Sequence, residues 1–260
     1  MKATPVIWDG AVDWTQYDAL LIRSCWDYHQ KLERFELWLA QIIALKIPTF
    51  NTAETVQWNL RKRYLLDLER AGVHIVPTRV IEPQASAPRL KELIADLGGR
   101  DTVMKPEVSA GGNNTFLVRE RQTVEETQAS QRSFEQILQK GPVLLQPYLS
   151  DVIEKGERSF IFIYGNFSHC VLRHPPSGDF RAQPTLGGSV ERVIPNLTEI
   201  TFAGAALAAA NYQPLYARVD VLKQGKELFL SELELIEPRL FFAEEPLAAA
   251  ALAAGLARRL

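Results

Sequence analysis

Two strands joined by a glycine-containing turn are predicted by residues 216–238, Tyr216-Ala-Arg-Val-Asp-Val-Leu-Lys-Gln-Gly-Lys-Glu-Leu-Phe-Leu-Ser-Glu-Leu-Glu-Leu-Ile-Glu-Pro238. Apolar residues surround Asp220, Glu232 and Glu234, which indicates that these three carboxylates are partly buried. A buried carboxylate without a partner is energetically costly. Because a bound cation would offset that cost, the hairpin is a candidate metal site.

The register of the hairpin decides whether the three carboxylates can meet. Glu232 and Glu234 are two residues apart on one strand and share a face. A three-residue turn, Gln224-Gly225-Lys226, would place Asp220 opposite Leu230 and on the face of Glu232. A two-residue turn would send Asp220 to the other face, because a slip of one residue inverts every side chain.

Magnesium binds oxygen ligands, commonly one or two carboxylates together with water and substrate phosphates. Three carboxylates on one face, with Arg218 on the neighbouring strand, therefore suggest a metal-phosphate site. The alternative is a solvated acidic strand with Lys223 and Lys226 as counterions. From this stretch alone both interpretations remain open, since short motifs often match by chance.

Composition favours a soluble protein that acts on small molecules. The 260 residues include 31 acidic and 29 basic ones, so no strong field favours nucleic acid or an anionic membrane. Cys25 and Cys170 lack the spacing of a zinc site or a disulfide framework. The sequence begins without a basic-then-apolar leader, and its most apolar runs are too short to span a bilayer. We expect a cytoplasmic protein.

The order of elements indicates an α/β protein with three parts. Residues 1–80 alternate strands, expected at 5–8, 19–23 and 48–50, with helices expected at 32–45 and 64–70, which favours a parallel sheet. Residues 81–150 and 151–260 mix strands and helices in another order. Strands are expected there at 102–106, 115–118, 143–148, 159–164 and 166–172, and helices at 90–97, 123–140 and 199–211.

A phosphate-binding loop is predicted after the strand that contains Lys105. Ser109, Ala110, Gly111 and Gly112 form a small turn there, and glycines let backbone N–H groups approach phosphate oxygens. The turn matches neither the P-loop nor the Rossmann pattern. A plain hairpin turn is the alternative.

Further upstream elements could complete a nucleotide site. The strand that ends at Gln146, Pro147, Tyr148 and Leu149 could present its backbone edge to adenine, although it could equally be a plain core strand. Glu154 or Glu157 could reach ribose hydroxyls. Arg158, Arg173 and Arg181 lie in or near a predicted hairpin and a long loop, residues 174–188, that could act as a lid.

Taken in order, these parts resemble the ATP-grasp superfamily, and most closely its branch with a glutathione-synthetase-like ATP-binding domain that includes the cycloserine-forming cyclo-ligase. The stretches that carry the resemblance cover nearly the whole chain: Arg23-Ser-Cys-Trp-Asp-Tyr28, Trp58-Asn-Leu-Arg-Lys-Arg-Tyr64, Val103-Met-Lys-Pro-Glu-Val-Ser-Ala-Gly-Gly112, Gly156-Glu-Arg-Ser-Phe160, Asn166-Phe-Ser-His169, Gly178-Asp-Phe-Arg-Ala-Gln183 and Ser231-Glu-Leu-Glu-Leu-Ile-Glu-Pro238.

The resemblance implies a fold and a set of roles. The fold is a shortened parallel α/β domain, residues 1–80, followed by two α+β lobes, residues 81–150 and 151–260, that enclose ATP. The implied nucleotide contacts are Lys62, Lys105, Ser109 to Gly112, Gln146 to Leu149, and Glu154 or Glu157. Asp220, Glu232 and Glu234 would hold two magnesium ions, while Arg181 and Arg218 would stabilise the transferred phosphoryl group.

Two departures from the family pattern accompany the resemblance. Glu234 stands where the family commonly has Asn, which makes this site more anionic. The family also places a strand and a helix before the segment that matches residues 6–9, whereas this chain starts almost at that segment. We therefore expect either an absent first βα unit or another covering of the sheet edge, for which a homodimer is one solution.

The expected activity is an ATP-dependent carboxylate-amine ligase, or an intramolecular cyclo-ligase, that works through an acyl phosphate on an amino acid or a small carboxylate. The substrate contacts expected at the end of a front strand are Arg23, Trp26, Asp27 and Tyr28, since α/β sheets bind ligands beyond the carboxyl ends of their strands. The alternatives are an ATP-binding protein without turnover and a small-molecule kinase of the same fold.

Overall fold

The computed structural model describes residues 2–182 and 184–258. It confirms a mixed α/β chain with a front unit followed by two lobes. The front unit contains a two-stranded parallel sheet and three helices: β1 (Leu20–Leu21), α1 (Leu32–Ala44), β2 (Thr49–Phe50), α2 (Ala53–Asn59) and α3 (Tyr64–Arg70). An aromatic cluster forms its core, in which Trp8 and Phe35 lie edge to face with ring centroids 5.1 Å apart.

The strand predicted at residues 5–8 is not formed. Residues 5–7 have no ladder partner in the part of the chain that the structure describes, and Trp8 begins a turn. Trp8 instead buries its ring against Trp38 and Phe35. Apolar content alone therefore misled the prediction, because this segment packs through side chains and not through a sheet ladder.

The small lobe is a four-stranded antiparallel sheet of order β3-β6-β4-β5, with two helices packed on it. Its elements are β3 (Arg79–Ile81), α4 (Leu90–Asp96), β4 (Thr102–Pro106), β5 (Phe116–Val118), α5 (Val124–Leu138) and β6 (Val143–Pro147). Helix α5 begins at a capping box, in which Thr123 accepts from the Glu126 amide and Glu126 accepts from the Thr123 amide. Met104 and Phe134 fill the space between sheet and helices.

The large lobe is a five-stranded antiparallel sheet of order β11-β10-β7-β8-β9. Its elements are α6 (Val152–Lys155), β7 (Glu157–Ile163), β8 (Asn166–His174), β9 (Ser189–Val193), α7 (Leu197–Ala209), β10 (Tyr216–Gln224), β11 (Glu227–Glu234) and α8 (Pro246–Ala257). The described residues contain no helix that is long and apolar enough to cross a membrane.

The hairpin of β10 and β11 reaches the expected geometry by a different register. Gln224 pairs with Glu227 across a two-residue turn, and Val221 pairs with Leu230. A β-bulge at Ser231 then shifts the ladder, so that Asp220 pairs with Glu232. The turn therefore has two residues, yet Asp220 neither pairs with Leu230, as a three-residue turn would require, nor lies on the opposite face, as a two-residue turn alone would require. The short turn and the bulge each change the register by one residue, and together they return Asp220 to the face of Glu232 and Glu234.

Buried side-chain amides fix the front unit against the end of β11. Asn51 donates to the carbonyls of Tyr216 and Leu235, both at 2.8 Å. Asn59 donates to the Leu233 carbonyl and accepts from the Leu235 amide, both at 2.8 Å. Because these bonds span more than 160 residues of sequence, they set where the carboxylates of β11 point relative to the front unit.

Candidate active site

One face of the large-lobe sheet carries a row of polar side chains. Residues that pair across antiparallel strands share a face. The pairs on this face are Arg173 with Glu157, Ser159 with Asp220, Asp220 with Glu232, and Arg218 with Glu234. This row forms one wall of a cavity of about 370 Å³ between the front unit and the two lobes.

Three carboxylates of this wall converge on one point. Asp220, Glu232 and Glu234 each have a carboxylate oxygen, and these oxygens lie within 4.8 Å of one another. Hard oxygen donors at this spacing suit magnesium, which binds through a few carboxylates and completes its shell with water and phosphate. The three carboxylates therefore fit the cation that the sequence predicts. The alternative, a solvated acidic strand, does not fit Asp220, which is 1% exposed.

Arginines surround the buried end of this cluster. The Asp220 carboxylate accepts from the Ser159 hydroxyl at 2.6 Å, from Arg173 at 2.8 Å and from Arg218 at 2.9 Å. Arg218 also pairs with Glu234. Burial opposes the charge of Arg218, but Asp220 and Glu234 outweigh it and raise the pKa of its guanidinium. Arg218 is therefore held as a fixed cation beside the predicted metal site.

Two lysines face the cluster from the opposite side. Lys62 donates to Glu232 at 2.8 Å and to the Ser109 carbonyl at 2.7 Å. Lys105 also lines the cavity, and it has no hydrogen-bond or ion-pair partner among the residues that the structure describes. Burial lowers the pKa of Lys105, with Lys62 adding to the effect. A half-buried cation without a partner is suited to receive an anionic ligand such as a phosphate.

The acidic residues of the cavity differ in pKa. Burial opposes ionisation of Glu232, but Lys62 and Lys105 outweigh it and lower its pKa to about 2. Burial raises the pKa of Glu234 to about 7, and it raises that of Glu237 to about 8 with help from the charge of Glu234. Glu232 is therefore ionised at neutral pH. Burial favours the neutral form of Glu234, which pairs with Arg218, and of Glu237, whose carboxylate has no cationic partner among the described residues.

The predicted glycine loop closes over this end of the cavity. Ser109, Ala110, Gly111 and Gly112 all line it, and both glycines have positive φ angles, 62° and 73°. The next residue, Asn113, contacts the His29 ring nitrogen at 3.1 Å, and Arg181 donates to the Gly112 carbonyl at 3.3 Å. The loop is thus held between the front unit and the long loop that carries Arg181.

Arg181 lies in the cavity wall, but Asp179 occupies its guanidinium. Two parallel bonds join them, at 3.0 Å to one carboxylate oxygen and at 2.7 Å to the other. This hydrogen bonding lowers the pKa of Asp179 to about 2. Gln183, which ends one of the stretches similar to the family, lies outside the described residues.

The far end of the cavity is apolar and has an open backbone edge. β3 pairs with β6 only as far as Leu145, so residues 146–149 are uncovered on that side. Gln146, Pro147, Tyr148 and Leu149 line the cavity there, and Val76 and Leu222 lie with them. Glu157 is in the wall but is held by Arg173 at 2.8 Å and by Ser231 at 2.6 Å. Glu154 is exposed and lies outside the wall, because it points away from α6 into solvent.

The predicted substrate contacts separate into two pairs. Trp26 and Tyr28 line the cavity. Arg23 lies behind the wall, where it donates to the Pro238 carbonyl at 2.8 Å and stacks over the Tyr216 ring. Asp27 accepts from Trp8 and Lys31 on the outer side. Arg23 and Asp27 therefore support the site without facing the cavity.

Sequence reasoning missed several residues of the wall. Arg173 was noted only as one of three arginines that could bind an anion, yet it is 2% exposed and joins Glu157 to Asp220. Its companion Arg158 lies on the other face of the sheet, beside Glu199. Glu237 and Arg239 also line the cavity. Their position depends on how residues 235–239 turn back along the front unit after β11 ends, and local spacing carries no signal for that.

Two family models match separate parts of the chain. A model described as the N-terminal domain of the D-cycloserine synthetase DcsG matches residues 1–51. A model described as the ATP-grasp domain of prokaryotic glutathione synthetase matches residues 72–211. The cycloserine biosynthesis protein DcsG of Streptomyces lavendulae is 30% identical over 273 residues, which cover 97% of this chain and 86% of that protein.

Three solved structures are similar to this chain. The crystal structure of D-cycloserine synthetase DcsG matches with a TM-score of 0.86 and 25% identity, over 97% of this chain and 87% of that one. A D-alanine–D-alanine ligase from Bacillus anthracis, complexed with ATP, matches with a TM-score of 0.64 and 16% identity, over 89% and 81%. The ATP-grasp ligase PsnB, complexed with a variant of its minimal precursor, Mg and ADP, matches with a TM-score of 0.60 and 17% identity, over 92% and 79%. The last two similarities show a common fold.

Proposed function

The chain belongs to the ATP-grasp superfamily, among the ATP-dependent ligases with a glutathione-synthetase-type ATP-grasp domain, and from that membership we propose that it activates a carboxylate as an acyl phosphate and joins it to an amine. The amine belongs either to a second substrate or to the same molecule, in which case a ring closes. The substrates are small molecules, an amino acid or another small carboxylate.

One observation carries the proposal. Asp220, Glu232 and Glu234 converge within 4.8 Å in a cavity that also contains Lys62, Lys105 and Arg218. Phosphoryl transfer demands charge neutralisation and alignment more than a protein nucleophile. The cavity supplies both cations and carboxylates for magnesium, with the open edge of residues 146–149 at the adenine end.

The proposed reaction has two steps. An oxygen of the substrate carboxylate attacks the γ-phosphorus of ATP, the bond from that phosphorus to the β-γ bridging oxygen breaks, and ADP leaves. The amine nitrogen then attacks the acyl carbon, the carbon–oxygen bond to phosphate breaks, and the nitrogen loses a proton. Inorganic phosphate leaves with one oxygen of the original carboxylate.

The residues divide this work by position. Lys105, which has no partner in the described structure, and Lys62 bind phosphate oxygens, while the backbone of residues 109–112 covers them. Arg218 and Arg173 hold Asp220 in place, and Arg218 faces the group in transfer. Asp220, Glu232 and Glu234 would hold magnesium, which supplies charge neutralisation of the phosphates when bound.

A screen for ADP formation tests the proposal. Purified protein with ATP and magnesium is given single amino acids, pairs of amino acids and small carboxylates, and ADP is followed by a coupled assay. We expect at least one substrate set to raise ADP release about tenfold or more above the basal rate, because a bound carboxylate is aligned to attack the γ-phosphorus, whereas water is not. Mass spectrometry should find a product whose mass equals that of the substrate or substrates minus one water molecule. Chelation of magnesium should abolish the reaction.

Two outcomes would contradict the proposal. A stable phosphorylated product without an amide or a ring would identify a small-molecule kinase. Binding of ATP with magnesium but no ADP release under any substrate would identify a nucleotide-binding protein without turnover.

A further inference from the structure

Glu237 differs from the other acidic residues of the cavity wall. Glu157 and Asp220 pair with Arg173, Glu232 pairs with Lys62, and Glu234 pairs with Arg218. The Glu237 carboxylate has no hydrogen-bond or ion-pair partner among the described residues, although the residue is only 8% exposed and lines the cavity. Burial of such a group is costly unless a ligand supplies a cation.

The side chain of Glu237 is not needed to hold its own segment. The backbone of residues 236–238 is already fixed, because the three successive carbonyls accept hydrogen bonds from Tyr216 at 2.8 Å, Trp26 at 3.0 Å and Arg23 at 2.8 Å. All three donors are side chains, two of them from the front unit and Tyr216 from β10, so the segment is held between the front unit and the large-lobe sheet. The carboxylate is thereby presented to the cavity on a rigid support.

Glu237 also stands apart from the predicted metal site. Among the described residues, the group of three or more carboxylates whose oxygens all lie within 4.8 Å of one another comprises Asp220, Glu232 and Glu234, and Glu237 is not a member of it. Glu237 lies beside Trp26, whose indole N–H donates to the Glu237 carbonyl at 3.0 Å, and both residues line the cavity together with Tyr28 and Arg218. A substrate with its carboxylate at Arg218 can therefore extend to these residues within the same cavity.

We propose that Glu237 binds the ammonium group of an amino-acid substrate whose own carboxylate is phosphorylated. The inference rests on the proposed function and deepens it, since it selects amino acids over carboxylates that lack an amine. An ammonium carries three donors and a full positive charge, which an unpartnered carboxylate can match. The aromatic side chains of Trp26 and Tyr28 in the same cavity favour a cation further.

Matched substrate pairs test the assignment. ADP formation is measured with glycine, with both enantiomers of alanine and of serine, and with glycolate, lactate and glycerate, which replace the amine by a hydroxyl. We expect the wild-type protein to prefer the active amino acid over its hydroxy counterpart. Glu237→Gln should raise the KM for that amino acid about 100-fold, because a buried charge pair is lost, and should remove most of the preference. The KM for ATP and the magnesium dependence should stay within about twofold.

Glu227→Gln is the matched control, because Glu227 is an exposed glutamate on the same strand as Glu232 and Glu234 and lies outside the cavity. Glu237→Asp, which keeps the charge, should recover part of the preference. Thermal unfolding of each variant establishes that it is folded.

Three results would overturn the inference. An unchanged KM in Glu237→Gln would mean that the carboxyl group is a neutral structural one. A raised magnesium requirement would place Glu237 among the metal ligands. Equal use of hydroxy acids by the wild-type protein would remove the ammonium site while leaving the proposed ligase activity standing, whereas a lack of ADP release with every compound would contradict the proposed function itself.

Discussion

Replacing Glu232 by Gln is expected to lower the rate of ADP formation by about 10³-fold while the protein stays folded. The Glu232 carboxylate is ionised, as its pKa of about 2 indicates, and it meets Asp220 and Glu234 within 4.8 Å. An amide of the same size keeps the packing but removes the charge that a divalent cation needs. The loss of one preorganised electrostatic contact in a closed site has an effect of this order.

The control for this variant must separate charge from folding. Lys62 keeps its hydrogen bond to the Ser109 carbonyl at 2.7 Å when Glu232 is neutral, so the glycine loop retains its support. Glu227→Gln, on the same strand but exposed, should keep full activity. Steady-state kinetics at saturating ATP, together with thermal unfolding, make the comparison. Activity of Glu232→Gln within about threefold of wild type would remove Glu232 from the site.

Replacing Gly156 by Ala is expected to lower the free energy of unfolding by about 3 kcal/mol or more and to reduce activity with it. Gly156 ends α6 with φ 64° and ψ −176°, a conformation that residues other than glycine avoid. A Cβ atom there would lie 2.7 Å from the Arg173 carbonyl, so β8 must shift. Because Arg173 bonds both Glu157 and Asp220, the shift reaches the carboxylate cluster.

Gly165→Ala separates backbone strain from this contact. Gly165 also has a positive φ angle, 73°, but a Cβ atom there would meet nothing within 4 Å. We expect it to cost about 1 kcal/mol and to leave activity unchanged. Urea unfolding curves and turnover rates for the two variants make the comparison. Equal losses in stability and equal activities would show that the contact with Arg173 is unimportant.

Local chemistry made much of this site predictable from the sequence. The alternation of acidic and apolar residues around Glu232 and Glu234 places both on one face whatever the turn, because side chains on a strand alternate. Lys105 and the glycines after it are read from a single strand and its turn. The sequence placed Asp220 on the face of Glu232 only for a three-residue turn. The structure places it there with a two-residue turn, because a bulge at Ser231, which the sequence does not indicate, offsets that turn.

Long-range packing explains what the sequence did not predict. Trp8 lies in an apolar stretch that is typical of a strand, but its side chain packs into an aromatic cluster. Arg23 and Asp27 share a motif with Trp26 and Tyr28, yet the chain enters a short 3₁₀ helix at Tyr28, so that two of the four side chains face the cavity and two do not. No role for Glu237 was predicted from the sequence. Only the fold shows that its carboxylate faces the cavity without a partner.

The passage of a carboxylate oxygen into phosphate tests the central claim most directly. The active substrate is prepared with ¹⁸O in both carboxylate oxygens, turned over with ATP in unlabelled water, and the inorganic phosphate is analysed by mass spectrometry. Activation as an acyl phosphate predicts that each phosphate released carries a single ¹⁸O atom. Phosphate without label would show that water attacks ATP directly, and it would contradict the assignment of this chain as a ligase that works through an acyl phosphate.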